Sequence, residues 1–206
     1  DFTVDQGMHA RMVTLPLKPF TLIGATTRAG LLTQALRSRF GLSHHLDFYG
    51  QEELERILVR AADLLGVKTD ATSVHTLAAR SRGTPRVANR LLRRVRDEVQ
   101  VAGSSNITVE AAAQALQGLQ IDEAGLDATD RKLLTVMIEK FNGGPVGLST
   151  LAIGIGEQPE TLEDVYEPFL IQKGFIARTP RGRVAMPVAW EHLGLTAPTQ
   201  SPGLFS

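Results

Sequence analysis

Cysteine is missing from all 206 residues, which excludes a small secreted domain stapled by disulfides. No apolar run approaches the ~18 residues needed to cross a bilayer, and no basic stretch followed by an apolar one resembles a leader. A cytoplasmic chain away from membranes is the expectation. An excess of either charge is also lacking, because Lys plus Arg and Asp plus Glu both number 22. Any contact with nucleic acid must therefore come from local clusters of cations. There are no internal repeats, and the five histidines lack the spacing of a metal site. His44-His45, at an expected strand start, and His192, in a terminal helix, are read as structural, so no metal ligands are assigned. The chain opens on Asp1 and runs directly into the extended-looking Phe2-Thr3-Val4, as if it began inside an element of a longer protein.

What is present divides into blocks. Apolar and β-branched residues at 2–5 and 11–15 flank Gln6-Gly7, the pattern of a hairpin with Gly7 in the turn. Phe20 to Gly24 reads as a short buried strand of a parallel sheet, with Ala25-Thr26-Thr27 at the end where such sheets bind ligands. From Gln51 the apolar residues recur at helical spacing up to Gly66, and further helices are expected at 70–81, 85–101 and 108–118, with Thr108 capping the last. Strand signals vanish across this region. After a link at 122–127 come a helix through Phe141, a short helix near 148–154, a longer one at 159–173, and a hairpin whose turn is Thr179-Pro-Arg-Gly-Arg183. Helix, helix, helix, hairpin is the order of a winged helix-turn-helix. The Pro-, Thr- and Ser-rich tail after Leu195 is expected to be disordered.

Two arginine placements carry chemistry. Arg37 and Arg39 straddle Ser38 at the end of a short helix, where cations also simply suit the macrodipole and the last carbonyls. Arg86 follows Thr84 and Pro85, in the first turn of a helix, where a cation is mildly disfavoured. That position calls for an anionic partner, either a neighbouring carboxylate or a ligand.

Taken together, Phe20-Thr-Leu-Ile-Gly-Ala-Thr-Thr-Arg-Ala-Gly30, Leu36-Arg-Ser-Arg-Phe-Gly41, Arg82-Gly-Thr-Pro-Arg86, Glu167-Pro-Phe-Leu-Ile-Gln-Lys-Gly174 and Arg178-Thr-Pro-Arg-Gly-Arg183 resemble the RuvB family of AAA+ Holliday-junction motors. The resemblance runs from near Phe2 to about Leu195. It implies an α/β AAA+ core remnant (1–49), an all-α lid domain (50–121), a winged-helix domain (122–195) and a tail (196–206).

It further implies a DNA helicase motor that hydrolyses ATP with Mg2+ as a homo-hexamer and drives branch migration in recombination and repair. The implied partners are duplex DNA and Holliday junctions, RuvA, and RuvC in the resolving complex. Thr27 would be the sensor-1 residue, and Arg39, less directly Arg37, the finger that reaches a neighbour's nucleotide. Arg86 would be sensor 2 and Tyr49 would line the adenine pocket, although an aromatic at a hinge also serves plain packing. Arg178, Arg181 and Arg183 would grip the DNA backbone or minor groove from the wing, against the alternative of a solvated loop. The helix before the wing is acidic, which suits sequence-independent binding. The hairpin around Val4, Gly7 and Met8 would dock RuvA, or else pack on its own core with Val13.

The phosphate loop with its Lys and Thr, and the acidic metal-binding strand, do not occur in these 206 residues and are expected upstream. Without them the chain alone should not hydrolyse ATP. A replication initiator or clamp-loader subunit, and a non-catalytic winged-helix DNA-binding protein, remain as alternatives.

Overall fold

The structure is a computed structural model that describes residues 2–4, 11–13 and 16–198, with side chains from residue 16 onward. The chain divides into two compact units, residues 1–46 and 47–206.

In the first unit, β1 (Phe2–Val4) pairs antiparallel with β2 (Arg11–Val13), with Phe2 opposite Val13. The expected hairpin is therefore present, while its turn at Gly7 and Met8 lies outside the described residues. Phe20 to Gly24 does not form the expected buried strand. Phe20 and Ile23 are largely exposed, and this segment joins none of the three two-stranded sheets. A parallel strand needs hydrogen-bonded neighbours on its edges and helices on its faces, and among the described residues this segment has no strand partner. Likewise His44-His45 starts no strand. A 3-10 turn at Ala29–Leu31 precedes α1 (Gln34–Arg37), which begins where Thr33 Oγ1 accepts the Leu36 N–H at 3.3 Å.

The second unit holds two successive apolar cores. The first is built by α2 (Gln51–Leu65), α3 (Ala71–Ala79), α4 (Pro85–Val101) and α5 (Val109–Gly118) around Leu58, Leu77, Leu91, Leu92 and Leu116. Each helix has a sequence-encoded boundary. Gly66 ends α2 in the left-handed conformation, Asp70 caps α3 by accepting the Ser73 N–H, and Thr108 caps α5 through Ala111. Thr84 occupies the cap position of α4, but its hydroxyl donates to Ser81 O instead of capping the helix. Contrary to the expectation of helices alone, β3 (Lys68–Thr69) and β4 (Asn106–Ile107) form a short parallel pair. Two-residue strands are too short to leave a periodic signal.

The second core gathers Leu133, Leu134, Met137, Leu151, Leu162, Phe169 and Leu170 between α6 (Ala128–Phe141), α7 (Leu148–Ile155) and the segment 159–172. That segment was expected as one α-helix. It is α8 (Pro159–Thr161), a π-helical turn (Leu162–Tyr166) and α9 (Glu167–Gln172). Pro168 has no N–H and its ring crowds the carbonyl four residues back, so a regular α ladder cannot pass through it. The wing follows as β5 (Ile176–Thr179) and β6 (Gly182–Ala185), antiparallel, with Val146 bridging Arg183 from the other side. The last helix, α10 (Pro187–His192), returns His192 to within 2.9 Å of Asp122 and edge-on to Phe175.

Candidate functional site

The first candidate site is the corner where α2 and α4 begin. Arg82 and Gly83 are consecutive left-handed residues, with φ of 54° and 67°. They reverse the chain so that the Gly83 carbonyl accepts the Tyr49 N–H at 2.9 Å. Gly83 is required here, since a Cβ at this position would lie 2.8 Å from the Phe48 side chain. Pro85 then opens α4 and Arg86 follows in its first turn. The backbone thus ties Tyr49 to a residue three positions before Arg86. Both side chains are exposed, and among the described residues Arg86 makes no hydrogen bond or ion pair. Among the described residues no carboxylate pairs with the Arg86 side chain.

Thr27, Arg37 and Arg39 fall in the first unit. Thr27 lies at an exposed bend just before the 3-10 turn, and Arg37 is the last residue of α1. Arg39 lies two residues further on, where its N–H bonds Leu36 O at 3.1 Å. Both arginines are exposed, and neither has a side-chain partner among the described residues. Gly24 faces the Phe40 ring, so the two motifs that carry these residues pack together within this unit.

The wing is more constrained than its sequence suggests. Glu167, at the start of α9, has no exposed surface and accepts from two arginines. Arg178 Nε reaches its Oε2 at 2.7 Å, and Arg183 Nε reaches its Oε1 at 2.5 Å. Glu163, one helical turn earlier, lies 3.2 Å from Arg178 and 3.8 Å from Arg183. The Arg183 side chain keeps only 15% of its surface and Arg178 keeps 47%. Arg181, at the turn between β5 and β6, is exposed and has no partner among the described residues. The three wing arginines are therefore not equivalent. Two neutralise the acidic helix beneath the hairpin, and one is presented at its tip.

Sequence reasoning gave Arg82 and Glu167 no role. Arg82 Nε donates to Gly125 O at 3.1 Å, and its Nη2 donates to Asp127 at 2.9 Å and Asp130 at 2.5 Å. Both residues stood inside the quoted motifs. The available signal was an i, i+4 pair of acids, Glu163 and Glu167, just before a hairpin rich in arginine. A shallow groove along α2, lined by Glu55, Val59, Asp63, Leu64 and Lys68, contains none of these residues. Among the described residues no cluster of His, Asp or Glu is arranged to hold a metal ion.

A four-helix domain with an exposed arginine in the first turn of α4, followed by a winged helix, has the order of a lid and winged-helix domain of an AAA+ subunit. Three family models match in order: the Holliday junction DNA helicase RuvB P-loop domain over residues 1–46, the RuvB AAA lid domain over 49–122 and the RuvB C-terminal winged helix domain over 123–194. The chain belongs to the RuvB family.

Among its relatives, the Holliday junction branch migration complex subunit RuvB of Streptomyces coelicolor is 57% identical over 204 residues, covering 98% of this chain and 57% of that protein. The namesake from Thermobifida fusca is 57% identical over 198 residues, covering 96% and 56%. The solved Thermotoga maritima RuvB Holliday junction branch migration motor superposes with a TM-score of 0.83 at 49% identity, covering 88% of this chain and 61% of that one. The chain thus spans somewhat over half the length of the relatives it matches.

Proposed function

We propose that this chain is the sensor, lid and DNA-binding part of a hexameric motor that hydrolyses ATP to drive branch migration of Holliday junctions. In this reading the domains divide near residues 49 and 121. Arg86 and Tyr49 hold the subunit's own nucleotide, Thr27 senses its terminal phosphate, and Arg39, with Arg37 beside it, acts on the nucleotide of the next subunit. The observation that carries the reading is Arg86. It is a cation at a helix N-terminus, exposed and unpaired, on a turn whose geometry is set by two left-handed residues. Such a placement is electrostatically costly unless an anion such as a phosphate arrives.

A guanidinium delivered in trans offsets charge on the transferring phosphoryl group, an effect worth ~10³ to 10⁵ in rate where GTPases use one. Mg2+ belongs to this chemistry in the complete subunit, but the residues described here do not fit a metal site. On the DNA side, Arg181 at the wing tip meets the phosphate backbone, with Arg178 adjacent, while Arg183 holds the hairpin on Glu167. The β1–β2 hairpin is the surface for RuvA, and RuvC joins in the resolving complex. No described helix is long and apolar enough to cross a membrane, and a motor that works on chromosomal DNA acts in the cytoplasm.

The test uses the complete subunit carrying Arg39→Ala. Hydrolysis should fall by about three orders of magnitude while ATP binding persists. Mixing this variant with a phosphate-loop variant should restore part of the activity in mixed rings. Loss of ATP binding in Arg39→Ala, with no recovery on mixing, would reject action in trans.

A further inference from the structure

Arg82 sits between the nucleotide corner and the winged helix and is bonded to both. On one side its backbone, at φ 54°, leads directly into Gly83, whose carbonyl holds Tyr49, and then into the turn that carries Arg86. A left-handed non-glycine residue persists only where its surroundings over-determine it. Those surroundings all belong to the winged-helix part of the chain. Asp127 is the N-cap of α6, and Asp130 closes its capping box. Both carboxylates take the same Nη2 of Arg82, while Nε donates to Gly125 O in the link before α6. The guanidinium lies 4.8 Å over the Phe169 ring, and Phe169 is in α9, the helix whose first residue, Glu167, anchors the wing arginines. A continuous chain of contacts therefore runs from Arg178 and Arg183 through Glu167, α9 and Phe169 to Arg82, and on to Gly83, Tyr49 and the Arg86 turn.

We infer that Arg82 is a positioning residue that couples the nucleotide corner to the DNA-binding wing. It carries no chemistry of its own; its planar fork fixes the angle between the α3–α4 turn and α6, so that movement on one side is felt on the other. The inference rests on the nucleotide and DNA roles proposed above. A residue that only stabilised the fold would lower hydrolysis and DNA affinity together. A coupling residue leaves each intact and breaks the dependence of one on the other.

The experiment uses the complete subunit and three variants, Arg82→Ala, Arg82→Lys and Asp127→Asn, the last retaining the Asp130 contact in case the alanine variant does not fold. Hydrolysis is measured with and without duplex DNA, and duplex affinity with ATP analogue and with ADP. In Arg82→Ala, stimulation by duplex should fall at least ~5-fold, the lower end of ordinary site–site coupling, and by more than either hydrolysis without DNA or mean duplex affinity falls. Lysine should not rescue, because a single ammonium cannot reproduce the fork that meets Gly125, Asp127 and Asp130. Asp127→Asn should lose part of the stimulation. Folded variants with undiminished stimulation, or with hydrolysis and DNA affinity falling in parallel, would overturn the proposal. A parent protein whose hydrolysis ignores duplex DNA would instead refute the motor reading itself, and the coupling with it.

Discussion

Asp130 has no exposed surface, and among the described residues its Oδ1 is a buried oxygen without a hydrogen-bond partner. Burial pushes its pKa up to about 6, against the opposing pull of Arg82 and the Asp127 amide. The folded state therefore binds a proton that the unfolded chain, with an ordinary carboxyl near 3.8, gives up sooner. The stability from this group is fully present below about pH 4 and is lost as pH rises through about 6, by at most roughly 3 kcal/mol. We expect denaturant midpoints of the chain to decline between about pH 4 and pH 6.5, and Asp130→Asn to flatten that decline while lowering stability overall. A variant that follows the parent's pH slope would assign the dependence to another group. None of this could be read from the sequence, because Asp130 there is only one acid near the start of an amphipathic helix. Its burial depends on Arg82, 48 residues away.

Among the elements, helices were legible wherever the chain wrote their ends. Thr108 accepts the expected capping bond, Asp70 and Asp127 cap α3 and α6 in the same way, and Gly66, Asn142 and Gly156 close α2, α6 and α7 in left-handed conformations. The β3–β4 pair and the π-helical turn escaped because neither has a period of its own. The wing was legible as a hairpin but not as an ion cluster, since the carboxylates that claim Arg178 and Arg183 lie on the preceding helix. This partition separates two substitutions that the sequence alone treats alike. Arg181→Ala should leave stability unchanged and reduce the slope of log duplex affinity against log salt by ~0.9, the loss of one phosphate contact. Arg183→Ala should instead destabilise the winged helix by about 2 to 3 kcal/mol, softened by the remaining Arg178, because it strips one partner from a buried carboxylate. Fluorescence anisotropy over a salt series, with thermal denaturation of the same samples, distinguishes the two. Equal slope changes for both variants would restore the picture of three interchangeable arginines.

Across the whole molecule, 22 basic residues balance 22 acidic ones, and part of each set is paired inside, at the Arg82 and Glu167 clusters. The two cores of the second unit were legible as separate helical blocks. The unpaired state of Phe20 to Gly24 was not, because an apolar run announces burial without saying what buries it. That segment has a further consequence. Leu17, Phe20, Leu22 and Ile23 are each more than 60% exposed on a stretch of backbone that belongs to no sheet. An extended, apolar and almost uncharged stretch of this kind is a template for pairing with its own copies. At high concentration the 206-residue chain should self-associate there, and Leu22→Lys should restore monodispersity in light scattering without disturbing the lid or the wing. Apolar residues left without a neighbouring strand become the chain's adhesive.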